Sequence, residues 1–194
     1  MAHIYLAMVD TPGILAYLIR RFLKQKYIHV VLAMDEQLTE AYSFGRRNPR
    51  IPLSAGFEKE DKEKILRVFP TADYRVGELT CSAAQKAAIR RRLERDYERR
   101  WHYHYAVLGL FFIVLGIPFY QKRHYTCSSY IAKVLAENGI CTFDKHFSLV
   151  TPKDFCLYPD QRIVFEGSLA ELTAQAAQTG PVCVHKGTAT AAWL

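Results

Sequence analysis

A single domain mixing helices and strands is what this sequence predicts, and three observations carry that expectation. Half of the 194 residues are apolar and 13% are aromatic, enough to bury one sizeable core. Short apolar runs with strand character, IYLAMV at 4–9 and HVVLAM at 29–34, are bounded by turn residues. Stretches with helical spacing of apolar residues, such as Ile14 to Lys26 and Ser128 to Asn138, lie elsewhere in the chain. A charged fraction of 23% excludes a disordered or low-complexity chain.

The elements follow in order. Ile4 to Val9 reads as a buried strand, and Asp10-Thr11-Pro12-Gly13 as the start of a helix, with a cap and a first-turn proline. Apolar residues at 14, 15, 18, 19, 22 and 23 predict a helix from Ile14 to Lys26. His29 to Met34 and Leu38 to Phe44 read as a β-hairpin across the polar turn Asp35-Glu36-Gln37. Arg46 to Pro52, with two prolines and three arginines, reads as a loop. Asp61 to Val68 is read as a short helix and Ala72 to Glu78 as a strand. Thr80 to Arg100 is a charged helix capped by Thr80 or Ser82. Ser128 to Asn138 is a further helix, stopped by Asn138-Gly139. Ile163 to Phe165 is a last strand. The domain is expected to span 1–172, and 173–194, rich in Ala, Thr, Gln and Gly, to form a weakly packed tail.

The segment Tyr105 to Tyr120 carries no charge and is flanked by Arg99-Arg100 and Lys122-Arg123. At sixteen residues, interrupted by Gly109, Gly116 and Pro118, it falls short of the roughly 20 needed to span a bilayer. It is read as a buried core helix, although its basic flanks also suit peripheral contact with an anionic lipid surface. The opening residues MAHIYLAMVDTPG lack a basic stretch leading into a long apolar one, so no signal peptide is read there.

A net charge of +7 permits anionic partners without demanding them. Arg91, Arg95 and Arg99 share a helix face, but Glu94 and Glu98 interrupt it. That face reads as an exposed surface laced with ion pairs, and no nucleic-acid partner is expected because no recognition motif accompanies the charge. Five cysteines form no CxxC pair, which argues against a disulfide framework or a zinc module and for a reducing cytosol. Neither a metal nor a cofactor is expected.

Cys127 is the candidate for chemistry. It precedes small Ser128 and Ser129 at the start of the 128–138 helix, where free amides and the positive dipole end favour a thiolate. The Cys127 amide there can also donate to an oxyanion. Of seven histidines, His124 is too close along the chain to serve as its base, and His185 lies in the expected tail. His3, His102, His104 and His146 have no evident partner. His29 opens a hairpin strand, where an imidazole can be fixed at a sheet end. Centring the turn on Glu36 sets His29 opposite Ser43 and gives the face His29, Val31, Ala33, Thr39, Ala41, Ser43; the alternate face offers Glu40 and Tyr42. The orienting third residue is read as Ser43 on geometry, with Glu40 the stronger electrostatic partner and Tyr42 also open.

The opening strand, DTPG, YIHVVLAMD and YSFGRRNP, followed by TCSSYIAKVLAENGI and LVTPKDF, resembles the circularly permuted NlpC/P60 proteins over roughly residues 3 to 169. These are papain-like thiol hydrolases; the chain looks similar to their YiiX/YycO-type branch, and lecithin:retinol acyltransferase relatives share the permutation. The His strand ahead of the Cys helix is the order that permutation produces. The resemblance implies an α+β fold, with a small antiparallel barrel-like sheet and the Cys helix packed against it. It also implies a nucleophile at Cys127, a base at His29 and a third polar residue on the next strand. Relatives often carry His or Glu at that position, and this chain carries neither. The implied activity is cleavage of an amide or ester in a small-molecule, peptide or lipid-like substrate; a non-catalytic binding module on the same fold is the alternative.

Overall fold

The computed structural model describes residues 1–12, 17, 20–21, 24–47 and 55–178. Most of the expected Ile14–Lys26 helix, most of the Arg46–Pro52 loop and the tail beyond residue 178 lie outside them. The expected tail boundary after 172 falls inside a helix that continues to Gln178.

The architecture is mixed α and β, built on a six-stranded antiparallel sheet. Its strands are β1 (Ala2–Asp10), β2 (His29–Ala33), β3 (Ala41–Arg46), β4 (Ala55–Lys59), β5 (Asp73–Cys81) and β8 (Arg162–Ser168), in the order β4-β3-β2-β1-β5-β8. The expected barrel-like closure is not present among the described residues: β4 and β8 are the two edges of an open sheet. The reason is that both faces of the sheet are apolar and each is covered by helices, which makes it a middle layer rather than a wall closing on itself.

On one face Ile4, Leu6, Met8, Leu32, Tyr42, Phe44 and Phe57 pack against helices α2 (Ala83–Glu98) and α4 (Cys127–Glu137) through Ile89, Leu93, Tyr130, Ile131 and Leu135. On the other, Ala7, Val31, Ala33, Ala41, Tyr74 and Val76 meet Leu169 and Leu172 of α6 (Leu169–Gln178). Ile65 and Leu66 of α1 (Lys62–Val68) pack there too. Burial on both sides explains why β1 reads as an unbroken apolar run instead of alternating.

The hairpin forms with a different turn from the one expected. Leu32 pairs with Tyr42 and Ala33 with Ala41, which places the turn centre on Gln37 rather than Glu36. Leu38 takes a left-handed φ of 56°, and the Asp35 carboxylate accepts the amides of Thr39 and Glu40 at 2.9 and 2.8 Å. Residues 38–40 therefore belong to the turn. Carried on to position 29, this register would set Gly45, not Ser43, opposite His29, and the two-residue shift preserves which residues share a face.

α2 starts at Ser82, not Thr80, because Thr80 still pairs with His3 in β5. Ser82 and Gln85 close a capping box. Three of its arginines lie in ion pairs, Arg92 with Asp96 at 2.6 Å, Arg90 with Glu40 at 3.0 Å and Arg95 with Asp96 at 3.5 Å, and none of these pairs uses Glu94 or Glu98.

The Tyr105–Tyr120 segment is not a core helix. Two short strands, β6 (His104–Tyr105) and β7 (His124–Tyr125), pair in parallel, and the chain between them makes an excursion from the body of the domain. It holds α3 (Val107–Leu115), stopped by Gly116 at φ 68°, in which Gly109 is the buried residue. The sheet, α2 and α4 already fill the core, so this apolar helix is left outside it. α5 (Pro152–Cys156) follows α4 in the chain. No described helix is long and apolar enough to cross a membrane.

Candidate active site

The sequence around Cys127 builds a helix end with unusual economy. Thr126 is the N-cap of α4: its hydroxyl accepts the Ser129 amide at 3.1 Å, and the Ser129 hydroxyl accepts the Thr126 amide at 2.9 Å. Cys127 is the first helical residue, so its sulfur stands at the positive end of an eleven-residue helix. The Ser128 hydroxyl donates to the Val150 carbonyl at 2.5 Å and ties this turn to the chain leading into α5.

β2 supplies the partner. Its pairing with β3 is confined to Leu32–Tyr42 and Ala33–Ala41, so the seam is open at the His29 end. A continued ladder would turn the Val30 amide toward Phe44; instead that amide donates to the Cys127 sulfur, as does the Ser128 amide. The His29 side chain stands beside Cys127, close enough for each to favour the other's charged form. Its Nε2 lies 3.1 Å from Ser43 Oγ and 3.2 Å from Glu60 Oε1.

Glu60 follows β4 directly, and its carboxylate also accepts the Ser43 hydroxyl. Gly45 makes room for this cluster: a Cβ there would stand 3.1 Å from Ser43 Oγ and 3.5 Å from both Glu60 Oε1 and His29 Cε1.

The electrostatics of the pair are mutual. Burial pushes the Cys127 thiol up, but the His29 cation and the two amides outweigh that and hold the thiol below its ordinary range. Burial pulls His29 down, while the Cys127 thiolate and the Glu60 carboxylate outweigh it and raise the imidazole to about 10. Thiolate and imidazolium thus hold each other charged. Cys81, Cys141 and Cys156 are raised by burial and lack this compensation.

A narrow cleft leads to the sulfur, lined by Ile28, Tyr105, Thr126, Thr151 and Pro152 and roofed by Leu110 and Ile113 of α3. Cys127 is only 3% exposed beneath that roof. Burial first, and the nearby thiolate second, hold the Tyr105 phenol well above its ordinary range, so it remains a hydrogen-bond donor.

Of the residues read from the sequence, Cys127, His29 and Ser43 are brought together. Glu40 and Tyr42 are not: Glu40 is paired with Arg90, and Tyr42 is buried in the aromatic core beside Phe57. The residues that sequence reasoning missed are Glu60 and Tyr105. Glu60 sits in the run EKEDKEK, which looks like any solvated charged stretch, and β4 before it carries no strand signal in the sequence. Among the described residues no group of three or more His, Cys, Asp or Glu is arranged to hold a metal ion. Comparison with protein-family models, with curated proteins and with solved structures finds no match to this chain.

Proposed function

We propose that this protein is a thiol hydrolase or acyltransferase that cleaves an amide or ester through a Cys127 thioester. The single observation that carries the reading is the juxtaposition of His29 and Cys127 at a helix N-terminus, with Glu60 and Ser43 behind the imidazole. The resemblance of the chain to permuted NlpC/P60 proteins supports it, through the order of His strand and Cys helix.

The thiolate attacks the substrate carbonyl carbon, and the carbonyl oxygen takes up negative charge. The Cys127 amide at the first turn of α4 and the Tyr105 phenol across the cleft are the donors for that oxyanion. The His29 imidazolium gives its proton to the leaving nitrogen or oxygen, and the C–N or C–O bond breaks to leave a thioester. Water, or an acceptor nucleophile, then loses its proton to His29 and displaces the sulfur. Glu60 and Ser43 keep the ring oriented throughout and stabilise its cation.

The test is acylation. Incubation with a p-nitrophenyl ester should give a burst of nitrophenol and a mass increase confined to Cys127, and iodoacetamide should label Cys127 fastest. His29→Ala should slow both. Equal labelling of all thiols at the ordinary rate, with no acyl adduct, would sink the reading.

The burial of Cys127 favours a second reading, a non-catalytic module that holds a lipid or peptide in the same cleft. It predicts ligand binding without any acyl adduct on Cys127.

A further inference from the structure

α3 is the least explained element of the fold. Seven of the twelve most exposed large apolar side chains among the described residues lie between 107 and 120. Leu108, Phe111, Val114, Leu115 and Ile117 are 49 to 62% exposed. Isolated exposed apolar residues need no explanation; a contiguous patch of this kind marks an interaction surface.

Charge selects the partner. From 99 to 136 the chain contains Arg99, Arg100, Lys122, Arg123 and Lys133, and no Asp or Glu. The β6–β7 pairing, with the His104 amide donating to the Arg123 carbonyl at 3.0 Å, brings the two basic flanks together at the base of the excursion. Trp101, 63% exposed, and Tyr120 stand on those same flanks, where amphipathic aromatics suit a membrane–water boundary. An apolar tip on a cationic collar matches acyl chains beneath anionic head groups. A second copy of the chain would instead set one collar against another of the same sign. At nine residues, about 14 Å long, α3 is too short to span a bilayer and long enough to lie in its interface.

We propose that α3 and the following Ile117–Tyr120 stretch dock this protein on an anionic bilayer surface, engaging lipid through the outer side of a helix whose inner side roofs the Cys127 cleft. Docking stands on the patch and its collar alone. Its consequence, that Leu110 and Ile113 lift from Cys127 when α3 enters lipid, rests also on the thiolate reading, and it makes the site open toward the membrane.

Flotation with vesicles tests docking without reference to catalysis. The protein should rise with phosphatidylcholine vesicles containing phosphatidylglycerol, and much less with phosphatidylcholine alone or in high salt. Leu108→Asp with Phe111→Asp, both on exposed positions, should cut partitioning about a hundredfold or more while the melting temperature holds. Lys122→Glu with Arg123→Glu should cut it about thirtyfold or more on the anionic vesicles, since each cation near such a surface contributes about 1 kcal/mol. Cys127→Ser should float like the parent. A parent protein that stays unbound, variants that float equally, or a dimer that the apolar substitutions dissolve without any vesicle binding would each overturn docking. Anionic vesicles should also speed iodoacetamide alkylation of Cys127 several-fold; flotation with an unchanged alkylation rate would overturn the lifting of the roof and leave docking in place.

Discussion

Glu60 reaches from the end of β4 to the imidazole of His29, Oε1 lying 3.2 Å from Nε2, and the same oxygen accepts the Ser43 hydroxyl. This carboxylate supplies the charge that Ser43 lacks, so the third member of the site is a pair rather than one residue. Glu60→Gln removes the charge while keeping the shape. It should reduce ester turnover about 10- to 100-fold, because the imidazolium loses its counter-charge and the ring its fixed tautomer. Ser43→Ala should cost only a few-fold. The double variant should resemble Glu60→Gln alone, since both act through one ring nitrogen. Steady-state kinetics of the three proteins checks it.

Cys127 was legible because small and capping residues before an apolar helix face mark a helix N-terminus. His29 was legible because it opens an apolar strand. Both depend on local pattern. Glu60 depends on β4 lying beside β3, and AGFEK has neither the alternation nor the β-branched content that announces a strand. The hairpin centre was misplaced by one residue because Leu38, an apolar residue, adopts a left-handed φ that composition does not advertise. The sheet was legible only strand by strand, since an open layer and a closed barrel use the same local signals. For α3 the apolar run predicted burial, and burial depends on whether the core has room.

Cys127 and His29 should reveal their mutual stabilisation in the pH dependence of alkylation. The thiol is held down, so its charged form persists to lower pH than a free thiol, which loses its charge below about 8.5. The rate of Cys127 alkylation should therefore hold to lower pH than that of a free thiol before it falls as the thiolate is protonated. Turnover should fall again on the alkaline side as His29, raised to about 10, loses the proton that the leaving group needs. Glu60→Gln should move that alkaline limb to lower pH, because Glu60 is one of the groups raising His29. His29→Ala leaves a buried thiol without its cation, and alkylation at pH 7 should drop at least about tenfold.

Gly45 should matter to the site more than to the fold. The methyl of Gly45→Ala would press on Ser43 Oγ at 3.1 Å, and the cluster must shift to accept it. We expect a stability loss of about 1 kcal/mol together with slower Cys127 alkylation. Gly139→Ala is the control: Gly139 has φ 63° after α4, with nothing within 4 Å of an added Cβ. It should cost about as much stability through the left-handed backbone alone, and leave alkylation unchanged. Thermal unfolding and labelling rates, measured on both, separate the two effects.

Tyr105 shares the cleft with Cys127 and keeps its proton, so it can donate to an oxyanion but cannot act as a base near neutral pH. A donor of this kind is worth most where negative charge develops, not in the resting enzyme. Tyr105→Phe should therefore lower kcat on an ester by about 100-fold while leaving iodoacetamide alkylation nearly unchanged, because alkylation of a thiolate forms no oxyanion. If Tyr105 merely packed the cleft, its loss would alter both reactions together by changing access to the sulfur. The ratio of the two rates, compared between the parent protein and the variant, is the quantity that distinguishes the roles.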